Sequence, residues 1–190
     1  MRCLAQLGPG ALCAAALANG SVSLLDARAR SCVSTWRAHD GSCSCVAALG
    51  PPHTLFTGSS DRSLCLWDIR RLGPPASAHG SARGLAMAPV VTWTGHKDGV
   101  ACVASSPGGE CVLSTAAGRL AQLSCSDVLA AAPQLPGNPA AEARSLRPGR
   151  LVREGPRGAK EKALIAGIHL LPACRAALVA SNDGIVRLCV

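Results

Sequence analysis

Aromatic residues are almost missing from this chain. It has Trp36, Trp67, Trp93 and Phe56, no tyrosine, and an aromatic share of 2%. Single-stranded nucleic-acid binders use aromatic stacking platforms, so no nucleic-acid partner is expected. Lysine is also scarce, with only Lys97, Lys160 and Lys162. Charged residues of both signs make up 16% of the 190 residues against 48% hydrophobic. That apolar share is enough for a core and excludes wholesale disorder. No stretch of 18 residues is free of both charge and breakers, so no membrane-spanning helix is predicted. The phosphate-binding Gly-x-x-x-x-Gly-Lys loop, the His-Glu-x-x-His helix and the dinucleotide fingerprint are all missing. An enzyme is therefore the least supported class, and no cofactor or metal is expected.

Cysteine is the exception, with 11 residues and no Cys-x-x-Cys pair. The odd number leaves at least one unpaired within a monomer. Cys13, Cys32, Cys43, Cys45, Cys65, Cys102, Cys111 and Cys189 lie in apolar runs, where a thiol acts as a small hydrophobe. This placement points to a reducing, cytoplasmic compartment rather than a disulfide-stapled secreted domain. Cys43 and Cys45 alternate along a predicted strand and so share one face. With His39 and Cys32 they form a zinc constellation to weigh against simple packing. Met1-Arg2 and the apolar Ala11–Ala18 imitate a signal peptide, but Gly8-Pro9-Gly10 interrupts the run.

The chain repeats itself. Leu55–Arg70 reads as an apolar strand, a Ser-Ser-Asp-Arg turn, and a second strand alternating Leu64 and Leu66 with Cys65 and Trp67. Ala14–Asp26, Cys111–Cys125 and Leu178–Val190 follow the same plan around Asn19-Gly20, Ala116-Ala117-Gly118 and Asn182-Asp183-Gly184. Leu25-Asp26 and Trp67-Asp68 stand 42 residues apart, and Asp61 and Asp183 stand 122 apart, near three periods. His39 and His96 are 57 apart, the excess falling in the irregular Leu72–Met87. Periods of 40–45 residues with a His near the start and Trp-Asp at the end mark propeller blades.

The pattern resembles the WD-repeat family. The resemblance implies an all-β fold: a partial β-propeller of about four blades, each of four antiparallel strands, the last without its outer strand. The blades run approximately over 2–36, 41–94, 99–152 and 163–190, with irregular inserts at 72–88 and 130–162. By the same resemblance His39, Thr57, Asp61 and Trp67 take the positions of a structural tetrad. The third unit keeps Gly95-His96 but has Gly118 for Asp61 and Ser124 for Trp67. The fourth keeps Asp183 but has Cys189 for the Trp. The expected picture is the C-terminal half of a propeller, closed by further blades or by another subunit. The bare outer faces of its first and last blades should each be a large apolar patch.

Three segments also resemble large BEACH-and-propeller proteins of endosomes: Leu24–Arg28 with Trp36–Gly41, Ser60–Leu64, and Leu170–Leu188. That resemblance implies an interaction scaffold, cytoplasmic or peripheral on endosome membranes. Its partners would be a WD-repeat protein and the class III phosphatidylinositol 3-kinase complex. The alternative lies in Trp67-Asp68-Ile69-Arg70, which fits the box of cullin-4 ubiquitin-ligase substrate receptors, with Asp68 and Arg70 as the adaptor contact. A third feature is a basic stretch carrying Arg144, Arg147, Arg150, Arg153, Arg157, Lys160 and Lys162 against three glutamates. Its net +4 is half of the chain's +8. It suits contact with anionic lipid, at about 1 kcal/mol per basic residue near the surface, or a solvated insertion.

Overall fold

The structure is a computed structural model. It describes residues 1–49, 53–72, 87–94, 96–105, 111–116, 119–124, 151–152, 165–171, 176–182, 184 and 186–189. The basic residues Arg144 to Lys162 named above lie outside the described residues, as do most of the two inserts.

Fifteen short strands form four antiparallel sheets. Sheet I holds β1 (Cys3–Gln6), β2 (Leu12–Ala16), β3 (Ser21–Asp26) and β4 (Ser31–Arg37). Sheet II holds β5 (Cys43–Ala48), β6 (Thr54–Ser59), β7 (Leu64–Asp68) and β8 (Val91–Trp93). Sheet III holds β9 (Val100–Ser105), β10 (Cys111–Ala116), β11 (Arg119–Ser124) and β12 (Leu151–Val152). Sheet IV holds β13 (Ile165–Leu171), β14 (Ala176–Ser181) and β15 (Val186–Cys189). The only helical element among the described residues is a 3-10 turn, Ile69–Arg71, so none is long and apolar enough to cross a membrane.

Within each sheet the strands follow chain order as a meander. Between sheets the first strands meet: β5 packs on β1 and β2, β9 on β5 and β6, and β13 on β9 and β10. Sheets joined face to face through their first strands, with their later strands further out, are the architecture of a partial β-propeller.

Tryptophan fills the wedge between sheets. Trp36 on β4 faces sheet II and meets Trp67 with ring centroids 5.9 Å apart, among Val22, Leu24, Leu55 and Cys43. Trp93 on β8 repeats the arrangement one sheet on, 5.6 Å from Phe56 and beside Val100 and Val103. Burying one such ring contributes roughly 4–6 kcal/mol. With so few aromatics, these rings carry much of the inter-sheet contact.

The thiols correct two expectations. Cys43 and Cys45 do not share a face. Cys43 pairs with Ser59 and Cys45 with Gly58, so Ser44 is the extra residue of a β-bulge. The bulge turns Cys43 into the core between sheets I and II and Cys45 into the core between sheets II and III. Cys32 is exposed rather than buried, and Cys13 and Cys102 are half-buried. No zinc constellation assembles, and no group of three metal-ligating side chains occurs among the described residues. Burial pushes the Cys43 thiol up to about 12 and that of Cys65 to about 11, so both stay protonated near neutral pH.

On sheet I, register places Leu4, Ala15, Ser23 and Thr35 in one row, with Ala15 and Ser23 buried and the Ser23 and Thr35 hydroxyls 2.8 Å apart. Among the described residues only Met1, Leu4 and Val186 are large exposed hydrophobics.

Candidate functional site

Three loops at one end of the sheets bring the predicted residues together. His39 sits in the β4–β5 connection, Asp61 in the β6–β7 turn, and Thr57 and Trp67 on β6 and β7. The connection is held from both sides. Gly20, at the tip of the β2–β3 turn, accepts the amides of Ala38 and His39 through its carbonyl, both at 3.0 Å. On the other side, Asp61 accepts the Asp40 amide at 3.1 Å, and Ser60 Oγ accepts the Ser42 amide at 2.9 Å.

The side chains form one directed chain of hydrogen bonds. Trp67 Nε1–H can only donate, and it donates to Thr57 Oγ1 at 2.8 Å. The Thr57 hydroxyl proton is then free for His39 Nε2, 2.7 Å away. Nε2 is thereby the acceptor, which puts the imidazole proton on Nδ1. Nδ1 lies 2.8 Å from Ser63 Oγ and 3.2 Å from Asp61 Oδ2. The Ser63 hydroxyl in turn donates to Asp61 Oδ1 at 2.5 Å, and its amide donates to the same oxygen at 2.9 Å. Thr57 and His39 are buried, while Asp61 is partly open.

Ser63 is the member that the sequence reading missed. Its signal was there in Asp61-x-Ser63, the spacing at which an aspartate caps the amide two residues on. The turn that joins β2 to β3 uses the same device, with Asn19 Oδ1 accepting the Ser21 amide at 3.1 Å.

Charges follow from this geometry. Burial lowers the His39 pKa below 6.5, and the attraction of Asp61 opposes this without overcoming it. Burial would raise the Asp61 carboxyl, but the Ser63 donors, His39 and the Gly41 amide together hold it below the usual carboxylate range. Both shifts act in one direction on stability. A base whose folded pKa is depressed leaves the unfolded chain holding more protons between the two values, so the fold weakens as pH drops below about 6.5. The depressed Asp61 adds a second loss as pH falls through its folded value, below about 3.9. Urea midpoints should therefore fall between pH 7.5 and pH 5. In His39→Gln the slope should shrink towards that left by His96, whose pKa is also lowered by burial. An unchanged slope would mean that His39 is not the titrating group.

These residues are not arranged as a hydrolytic triad. In a hydrolytic triad the nucleophile and the carboxylate bond opposite nitrogens of the histidine. Here Ser63 and Asp61 share one side of the ring. The hydroxyl on the other side, Thr57, is fully buried and committed to Trp67. A cavity of about 380 Å³ lies beside the network, lined in part by Arg37, Asp40, Asp61, Ser63 and Thr92.

At the opposite end of the sheets, Asp68 caps the 3-10 turn by accepting the Arg70 amide at 3.0 Å. It also holds the Arg70 guanidinium through Nε at 2.9 Å and Nη2 at 2.7 Å. Arg70 remains 68% exposed. Its donors depress the Asp68 carboxyl.

The WD domain, G-beta repeat family matches residues 30–68 and 87–127. The two matched stretches straddle two sheets each, since the first spans β4 of sheet I and β5 to β7 of sheet II. The His39 network thus lies wholly within one repeat and fastens the sheet-crossing connection. Protein GFS12 of Arabidopsis thaliana is 28% identical over 176 residues, which are 93% of this chain and 9% of that protein's length. Among solved structures, the computationally designed Ika4 protein is similar in fold. Its TM-score is 0.60 at 14% identity, over 98% of this chain and 88% of that one.

Proposed function

We propose that the chain is a non-catalytic scaffold that works as the C-terminal half of a WD-repeat propeller, completed by further blades or by another subunit. His39, Thr57, Asp61 and Trp67, with Ser63, act as its structural tie. The observation that carries this reading is the closed network itself. Every side-chain polar atom of His39, Thr57 and Trp67 is used inside the matched stretch, so binding falls to turns and loop tips. WD repeats generally serve as protein-interaction platforms, and a stack of sheets offers such a surface.

In finer detail, we read the chain as similar to WD repeat-containing protein 81. Its roles would then be early-to-late endosome transport, regulation of class III phosphatidylinositol 3-kinase activity and autophagy of protein aggregates. It would be cytoplasmic and peripheral on endosome membranes, with the basic residues Arg144 to Lys162 contacting anionic lipid. The support is the set of segments quoted above, Leu24–Arg28, Trp36–Gly41, Ser60–Leu64 and Leu170–Leu188. The second reading, a cullin-4 substrate receptor, has the exposed Arg70 in its favour.

One pull-down separates the two. A tagged chain should co-localise with endosomes and recover a WD-repeat partner and the kinase complex, and Arg70→Ala should leave that recovery unchanged. Recovery of the ligase adaptor, lost in Arg70→Ala with an unchanged urea melt, supports the alternative. A diffuse chain that captures none of these sinks both.

A further inference from the structure

The two ends of the sheets differ in charge. Among the described residues, the end built around His39 mixes Arg2, Arg37, Arg62 and Lys97 with Asp40, Asp61 and Asp98. At the other end, the β3–β4 turn of sheet I and the 3-10 turn after β7 of sheet II present Arg28, Arg30, Arg70 and Arg71, all exposed. Antiparallel pairing fixes this placement, because both turns follow the third strand of their sheet. Both turns border the core between sheets I and II: Ile69 and Leu72 of the second belong to it together with Leu12 and Val33, at the same ends of β2 and β4.

The carboxylates at this rim are already engaged. Asp26 Oδ1 accepts the amides of Arg28 and Ala29 at 2.8 and 3.2 Å. Asp68 grips Arg70 through Nε and Nη2, and the Arg70 side chain stays exposed. Arg30 stands at φ 51, in the left-handed region where glycine or asparagine is easier to place. All four cations are guanidinium groups, which match carboxylates in bidentate geometry.

We propose that this rim, formed by Arg28, Arg30, Arg70 and Arg71, docks an acidic peptide segment of a partner protein. The inference rests on the interaction-scaffold reading and names the chemistry of the partner. The rim is narrow, two turns bordering one core, which fits an extended peptide carrying several Glu or Asp better than a flat membrane.

The test uses the full chain and a fluorescein-labelled octa-glutamate peptide followed by anisotropy. The peptide should bind and weaken as salt rises from about 50 to about 200 mM. Arg28→Glu/Arg71→Glu should bind about tenfold or more weakly, from two lost charge-assisted contacts. Its urea melt should not move, since both side chains are exposed. Arg62→Glu, at the other end, should bind as the parent does. The inference is overturned if the peptide fails to bind, if the double variant keeps its affinity, or if Arg62→Glu weakens binding equally, which would show net charge alone at work. Phosphatidylserine vesicles that bind while the peptide does not would also overturn it, in favour of a membrane. If the endosomal partners are absent in the pull-down but octa-glutamate still binds at the rim, only the endosomal reading fails.

Discussion

Thr57→Val is expected to cost about 2–5 kcal/mol of stability. The substitution keeps shape and removes one oxygen. That oxygen accepts Trp67 Nε1–H at 2.8 Å and bonds His39 Nε2 at 2.7 Å. Valine strands both partners in a buried site, and each stranded group costs about 1–3 kcal/mol. Nothing nearby can replace the lost oxygen by a small shift, because Trp67 is packed against Trp36 and His39 is pinned by Ser63. Urea denaturation followed by tryptophan fluorescence reads the loss directly. Thr57→Ser restores the hydroxyl at the expense of one buried methyl, so it should recover most of the stability. A valine variant within about 0.5 kcal/mol of the parent would mean that the network does not hold the repeat together.

Gly20→Ala should be comparably damaging, for a backbone reason. Gly20 has φ +83, which L-residues with a Cβ adopt only at a cost. An added Cβ would also fall on the carbonyl oxygens of His39 and Gly41, the latter at 2.5 Å. Those are main-chain atoms of the connection that Gly20 itself grips through its own carbonyl. Relief requires moving the connection, and with it His39. The expected loss is about 3 kcal/mol or more, the sum of left-handed strain and overpacking. Gly10→Ala is the control, since a Cβ there meets nothing within 4 Å. Equal melts for the two alanine variants would remove the close approach from the account.

These two residues show how unevenly the site was legible. Thr57 was readable because it stands with His39, Asp61 and Trp67 at the tetrad positions of the WD-repeat family, which that unit resembles. Gly20 was read only as a turn residue. Its contact with the His39 connection spans 19 residues of chain, and no local pattern reports which turn will lie under which loop. Ser63 falls between. Its bond to Asp61 is local and follows from a two-residue spacing, but its bond to His39 Nδ1 needs the fold.

The thiols give the sharpest contrast. Alternation places Cys43 and Cys45 on one face, and that inference fails because a single extra residue, Ser44, breaks the two-residue period. Bulges leave little trace in composition.

By itself the sequence determined the all-β class and the strand–turn–strand rhythm, because periodicity and turn chemistry are local and physical, while the resemblance to the WD-repeat family singled out His39, Thr57, Asp61 and Trp67. Only the tertiary structure decided which turn braces which connection, which core each cysteine enters, and that Arg28, Arg30, Arg70 and Arg71 gather at one rim. Those outcomes depend on sheet stacking and register, which join residues far apart in the chain through contacts that no local pattern encodes.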